Sequence, residues 1–368
     1  MKASIRILMA ICVIATAMCQ NTVFGQNRMN YKVIQLKKHF VDRELLASPE
    51  LKQLLVQQRK FIADNKLTFL VSITSVSHLK LADITGGKQI TPNEALEIKQ
   101  LMANKVLSSE TLETVKQMQL KGCVASMKSY DARVDSLVPP IRTQKCGDCW
   151  AYSSTGTLEC SYIRVNRITS ASTIDCSEKQ LVDCARSGDC SGGWTFRALN
   201  YLNNNHIRMM TEAQYPDNGF NGACPATVPA TKVELVDWGV IDPSGDINKI
   251  APVDKIKEAI CKYGPISVAI NATTLLQDFA SEDVFYETPS NYANPVCNHS
   301  VILVGWDDTK QAWLMRNSWG VGWGNDGYAW IKYNTNNIGK SAVWVVAKNL
   351  KMKPAKMDMN LLKRYIVQ

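Results

Sequence analysis

At 368 residues the chain is long enough for two or three domains and a sizeable core. Its 46% hydrophobic and 20% charged content is ordinary for a globular protein and excludes a low-complexity chain. A net charge of +9, scattered along the chain, is weak support for nucleic-acid or membrane binding.

The first 25 residues read as an export signal cut after Gly25. Lys2 and Arg6 form a positive start, Ile7 to Met18 an apolar stretch too short to span a bilayer comfortably, and Val23 and Gly25 a cleavage site. A membrane anchor is the alternative, and Cys19 raises a lipid-attachment site for which Met18 is a poor neighbour. No other stretch is long and apolar enough to cross a membrane.

Residues 26–127 have one cysteine, Cys123, and no tryptophan. Leu51, Leu54, Leu55, Phe61 and Ile62 predict a helix. The β-branched run from Leu67 to Leu81 predicts a strand, and Gly86-Gly87 a break. Thr91-Pro92-Asn93-Glu94 has the form of a capping box with proline at the first helical position, ahead of a helix carrying Leu96, Leu101 and Met102. A second cap at Ser108 or Ser109 opens a helix with Leu112, Val115 and Met118 on one face. This mostly helical segment is an accessory domain or a removable pro-segment.

From about residue 128 the composition shifts, and all nine tryptophans lie beyond it. Gly147 onward reads as a loop and then a helix through Arg164, and Ile256 to Tyr263 as a short helix. Ile266–Ile270, Ser300–Trp306, Ala312–Asn317 and Tyr328–Tyr333 read as strands. The result is an α+β region with a helical part near 128–230 and a β-rich part at 231–347. The last 21 residues hold Lys348, Lys351, Lys353, Lys356, Lys363 and Arg364 against Asp358, a basic tail that reads as solvated or as a polyanion-binding surface.

Of twelve cysteines, Cys12 and Cys19 leave with the signal, and the other ten belong to an exported chain in which disulfides persist. Cys146 and Cys149 form a Cys-x-x-Cys pair, which can exchange disulfides, hold half a zinc site, or join a structural cysteine to a nucleophile. A cysteine nucleophile needs a base and a group to orient it. Of four histidines, His39 and His78 lie in the N-terminal segment and His206 in a polar run, while His299 stands at the mouth of an apolar strand. Asn317 ends another apolar strand, and an asparagine carbonyl can fix an imidazole tautomer.

The stretches TQKCGDCWAYSS, LVDC…GDCSGGW, CNHSVILVGW and RNSWGVGWGNDGY resemble, in order and spacing, the hallmarks of the papain-like cysteine peptidases across residues 128–347. The resemblance implies a two-domain papain-like fold, helical on one side and β-barrel-like on the other. It implies Cys149 as nucleophile, His299 as base, Asn317 as its orienting group, and Trp319 as the indole shielding that contact. Gln144 is similar to the oxyanion-hole glutamine, although the loop to Cys146 is one residue short and displaces it. Asp148 stands where a small residue is common, and a carboxylate there opposes a thiolate. Further implied are the disulfides Cys146–Cys190 and Cys184–Cys224, and a peptide-pairing edge at Gly192-Gly193. An apolar subsite for the substrate's penultimate side chain is implied beside Trp194, Ala269, Cys297 and Ser300. Cys160–Cys176 is a plausible local bridge, Cys261 and Cys297 have no assigned partner, and Cys123 is expected to be free or removed with the pro-segment.

Residues 26–127 take the place of the family's inhibitory pro-segment, with RKFIADN (59–65) as a fragment of its signature. No paired histidines block the cleft as in some exopeptidase relatives, so the expectation is an exported endopeptidase made as a zymogen. It would be monomeric, act on peptides or proteins without cofactor or metal, and need neither nucleic acid nor a membrane. Asn298-His299-Ser300 is formally a glycosylation sequon whose glycan would obstruct the site, which favours a bacterial periplasmic or extracellular protein over a eukaryotic secretory or lysosomal one. The rival readings are a catalytically dead binding relative and a thiol–disulfide oxidoreductase using Cys146 and Cys149.

Overall fold

The computed structural model describes residues 36–118, 122–226, 231–288 and 296–351. The export-signal reading and the tail residues Lys353, Lys356, Lys363 and Arg364 lie outside them. The N-terminal segment opens with helices α1 (Lys38–Leu46) and α2 (Pro49–Asp64). Ser48 caps α2 by accepting from the Leu51 N–H, and Leu55, Gln58 and Ile62 face inward while Leu54 is exposed.

The strand expected over Leu67–Leu81 does not form. The run is irregular and makes a single bridge, Val71 with Phe279. Its backbone is used across the contact instead: the Ser72 N–H donates to Asp278 O (2.8 Å) and the Ala280 N–H to Leu70 O (3.0 Å). Phe69, Val71, Ile73 and Val76 are buried, with Phe69 against the rings of Phe279 and Phe285. The β-branched content thus marks burial rather than a ladder.

Helix α3 (Pro92–Ala103) has the full capping box between Thr91 and Glu94. Its inward face is Ala95, Ile98 and Met102, spaced i, i+3, i+7, whereas Leu96 and Leu101 are exposed. In α4 (Ser109–Met118), capped by Ser108, Thr111, Thr114, Val115 and Met118 are buried and Leu112 is exposed. Of the apolar residues expected on these faces, Met102, Val115 and Met118 pack inward and Leu96, Leu101 and Leu112 do not.

The remaining chain begins with strand β1 (Ser129–Asp131) and helix α5 (Cys149–Asn166), every residue of which is buried except for the flanking turns. There follow α6 (Glu178–Cys184), the tiny hairpin β2 (Gly188–Asp189) and β3 (Gly192–Gly193), and α7 (Thr195–Asn204). Strand β4 (Leu235–Val240), helix α8 (Val253–Tyr263), strand β5 (Ile266–Ile270), the turn of helix α9 (Thr274–Gln277) and β6 (Val284–Phe285) come next. Strands β7 (His299–Asp307), β8 (Ala312–Arg316), β9 (Tyr328–Lys332) and β10 (Lys340–Ala347) finish the fold. One sheet runs β4-β10-β5-β7-β8-β9-β6, with β1 paired to β7.

Two hydrophobic cores flank α5. One gathers Trp150, Leu158, Leu181, Phe196, Leu199 and Trp238 among the helices, with β10 residues Val343 and Val345. The other gathers the sheet's Val301, Leu303, Trp313 and Trp323 with Phe69, Val71 and Ile84 of the N-terminal segment. At the C-terminal end of α5, Arg164 donates to the carbonyls of Met118, Ile260 and Cys261, which fastens the ends of α4 and α8 to it. Lys348, read from the sequence as tail, pairs with Glu234 and belongs to the fold.

Cys146–Cys190 and Cys184–Cys224 are bonded, and a third disulfide joins Cys123 to Cys261. Cys160 and Cys176 are not bridged but are buried thiols. Cys160 lies by Arg316 of the sheet, whereas Cys176 packs in the helical core, so the two are held on different sides of α5. Among the described residues no helix is long and apolar enough to cross a membrane.

Leu158 is fully buried in the middle of α5. Leu158→Ala should destabilise the protein by about 2–5 kcal/mol, seen as a lower urea midpoint by tryptophan fluorescence.

Candidate active site

Cys149 is the first residue of α5, preceded by a loop in which Gly147 donates to Cys190 O (2.8 Å). The Cys146–Cys190 bridge pins that loop to the β2–β3 hairpin, so Cys146 is not available to pair with Cys149. This removes the dithiol that an oxidoreductase would need. The N–H groups of the first helical turn have no intrahelical acceptors, which leaves the helix end electropositive around Cys149.

His299 begins β7, and Asn317 follows the end of β8. Their side chains meet at 2.8 Å, His299 Nε2 to Asn317 Oδ1. The Ser318 backbone N–H also donates to that oxygen (2.8 Å). A backbone N–H can only donate, so the oxygen is the acceptor in both contacts and Nε2 carries the imidazole proton. Nδ1 is therefore the basic nitrogen, and it is buried without a hydrogen-bond partner in the protein. Trp319 stacks on the ring at a centroid distance of 4.7 Å, covering the histidine–asparagine contact. His206 and His78 lie elsewhere, and among the described residues no cluster of His, Cys, Asp or Glu is arranged to hold a metal.

Gln144 is buried beside this group. Its Nε2 donates to Cys146 O (2.7 Å), and its Oε1 accepts from Ser318 Oγ (2.6 Å). One of its two amide hydrogens is thus committed to the shortened loop and one remains. Asp148 is fully buried, and neither carboxylate oxygen has a partner. Burial, followed by the nearby Asp217, raises its pKa well above the ordinary carboxylate value. Its desolvation thus weakens the charge conflict expected from its position.

The cleft is occupied by the chain's own N-terminal segment. The Gly86 N–H donates to Cys149 Sγ (3.2 Å), and Gly86 O accepts from the Gly193 N–H (2.7 Å). The Lys88 N–H donates to Gly193 O (3.1 Å), and the Gly87 N–H to Asn298 O (2.7 Å). Trp194 Nε1 donates to Gln89 O and Trp319 Nε1 to Ile84 O, while Gln89 Nε2 reaches Cys297 O. Gly86 has to be glycine: a Cβ there would lie 1.6 Å from Gly147 O.

This cover sets the protonation of the pair. Burial pushes the Cys149 thiol up to about 12, against the partial relief of the Gly86 and Ser300 N–H groups. Burial also lowers His299 to about 4, against the Asn317 hydrogen bond. Both groups are neutral at pH 7. A helix N-terminus contributes about 0.3–1 kcal/mol to an anion near it, and up to about 2 in partly buried sites. Desolvating an ion costs several kcal/mol, so burial wins while the segment is in place.

Beside the triad lies a cavity lined by Trp194, Phe196, Ala269, Cys297, Ser300 and Lys340. Trp194, Ala269, Cys297 and Ser300 lie together as the sequence reading places them, and Gly192-Gly193 form the pairing edge. Lys340 was missed. The signal that could have found it is the β10 register, which sets Lys340 opposite Ala269, itself opposite Ser300.

A family model described as papain family cysteine protease matches residues 126–347. Digestive cysteine proteinase 3 of Homarus americanus is 34% identical over 196 residues, 52% of this chain and 56% of that protein. Cathepsin L of Sarcophaga peregrina is 35% identical over 220 residues, 57% of this chain and 60% of that protein. The matched stretch thus spans little more than half the length of these relatives. Among solved structures, digestive procathepsin L 3 of Tenebrio molitor larval midgut superposes with a TM-score of 0.58 at 25% identity, covering 84% of this chain and 93% of that one. A recombinant stem bromelain precursor gives a TM-score of 0.59 at 22% identity, covering 85% and 94%, and shares the fold.

With both groups held neutral, Cys149 of the intact chain should react slowly with iodoacetamide at pH 7. Gly86→Val, which cannot lie over Gly147, should raise that rate about tenfold, the factor one pKa unit carries. Peptide mass mapping of carbamidomethyl at Cys149 reads this directly, and an unchanged rate would mean the cover is not what silences the thiol.

Proposed function

The chain belongs to the papain family of cysteine proteases, and from that premise we propose that it is an endopeptidase made as a latent precursor. The observation that carries the reading is the buried His299–Asn317 pair, its Nδ1 unpartnered, in the same cleft as Cys149 at the start of α5. With the N-terminal segment withdrawn, water and charge return to the cleft and the thiol proton passes to His299 Nδ1. The sulfur attacks a peptide carbonyl, forming a C–S bond as the carbonyl π-electrons move to oxygen. That oxyanion is held by the Cys149 N–H and by the free amide hydrogen of Gln144. The imidazolium returns the proton to the leaving amine as the C–N bond breaks. Water, deprotonated by Nδ1, then releases the acyl group and regenerates the thiol. Asn317 keeps the ring in the tautomer these steps need, and Trp319 keeps water from that bond.

The latency reading rests on residues 37–118, whose Gly86 occupies the nucleophile and whose chain pairs with Gly193 on the edge open to a peptide. The solved precursor of Tenebrio molitor, similar over 84% of this chain, supports it. Substrates are peptides or proteins, and the chain acts as a monomer. The three disulfides fit export into an oxidising compartment. The two relatives reported above, from Homarus americanus and Sarcophaga peregrina, give no support to a bacterial source.

The activity test uses the full chain, incubated at mildly acidic pH with reductant until the N-terminal segment is cut, against Cys149→Ala treated alike. Hydrolysis of peptide amides by wild type, lost by at least about 10⁴-fold in the variant, is expected. Activity in neither would favour the inactive binding relative. The Cys123–Cys261 bridge adds an expectation about processing. A cut N-terminal to Cys123 frees the segment, whereas a cut between Cys123 and Lys128 leaves it covalently attached. Electrophoresis of the wild-type chain, processed without added reductant and then run with and without it, distinguishes the two. Release without reductant is expected, because an active enzyme must lose its cover.

A further inference from the structure

The cavity beside the triad is not the apolar pocket that Trp194, Ala269, Cys297 and Ser300 suggest. Lys340 also lines it. The first residue of β10, Lys340 stands opposite Ala269 of β5, Ala269 stands opposite Ser300 of β7, and Ser300 follows His299. A lysine is thereby fixed in the row of residues that leads to the catalytic histidine. It lies close enough to the buried Cys297 thiol to act on it electrostatically.

The surroundings hold no anion. The other lining residues include Thr195, Phe196, Ile247, Asn248, Ser267 and Ser341, and none of the lining residues is Asp or Glu. Among the described residues Lys340 makes no ion pair. The N-terminal segment does not supply a counter-ion either. Gly86-Gly87-Lys88-Gln89-Ile90 crosses the cavity with no carboxylate, and its next acid, Glu94, is engaged by Arg197 and Thr91.

We propose that Lys340 makes this subsite select an acidic side chain, so that the enzyme cuts peptides carrying Glu or Asp at the residue before the one whose carbonyl is attacked. The inference rests on the peptidase reading above. An ammonium in a mixed wall of apolar and neutral polar side chains is satisfied best by a carboxylate, through a charge-assisted hydrogen bond. Ala269 and Ser300 are small and leave room for it, while the Trp194 and Phe196 walls take up the methylenes. A basic side chain would meet like charge, and an aliphatic one would leave the ammonium without a partner. The segment that covers the cleft sets Lys88 over the Trp194 ring and lays Gln89 and Ile90 along the same cavity, and so offers it no carboxylate.

The test compares kcat/KM on the peptide amides Glu-Arg, Leu-Arg and Arg-Arg, N-capped and bearing a fluorogenic leaving group, using the self-processed full chain. Wild type should favour Glu over Leu by about 10- to 100-fold, the range of a hydrogen bond to a charged group. Lys340→Met should lose that preference and gain on Leu. Lys340→Glu should transfer it to Arg, and Lys340→Arg should keep it, which controls for folding. Cleavage by wild type that favours Leu, with the Glu-to-Leu ratio unmoved in Lys340→Met, would overturn this inference and leave the peptidase reading standing. No turnover of any peptide, with Cys149→Ala behaving the same, would overturn both.

Discussion

Helix α5 has no side open to water, and most of the molecule is organised around that fact. A buried helix must be enclosed on all faces, here by a helical core on one side and a sheet on the other. The cleft lies between these two walls where the helix begins. Cys149 stands at that point. The walls also supply its partners, with Gly193 and Trp194 from the helical side and His299, Asn317 and Trp319 from the sheet. Arg164 secures the other end, so the helix is fixed along its length.

Electrostatics in the site is decided by water more than by charge. The helix end favours a thiolate, yet burial under Gly86 keeps the thiol and the imidazole neutral. The same physics acts on Asp148, whose carboxyl is raised well above the ordinary carboxylate range by burial. The switch between latent and competent states therefore needs no rearrangement of the triad. Wetting the cleft is sufficient.

The fold class and the site were legible in the sequence to different depths. Cys149, His299 and Asn317 could be named as candidates because each sits in a motif whose chemistry restricts the residue type, and the fold brings His299 and Asn317 into contact. Helix α5 and strands β5, β7, β8 and β9 were readable from long apolar runs. Less was visible where burial and periodicity part company. Leu67–Leu81 carries strand-like residues but buries them in an irregular chain, and Leu96, Leu101 and Leu112 face solvent where neighbours on the same helices pack inward. The Cys123–Cys261 bridge spans 138 residues and has no local signal. Lys340 enters the cavity only through strand register, which a single sequence does not display.

On the proposed reading, the two glycines over Cys149 make the covering segment a ligand without side chains at the point of contact. Main-chain hydrogen bonds exchanged with water are each worth about 0.5–1.5 kcal/mol net, so this stretch alone would bind weakly. Its hold comes from being tied nearby, through Phe69, Val71 and Val76 in the sheet-side core and through the continuous chain to Cys123. In terms of effective concentration, the tethers turn a poor free inhibitor into one present at millimolar levels or above. Severing the tethers dilutes it to the bulk, and a single turnover at the junction is then enough to make release irreversible.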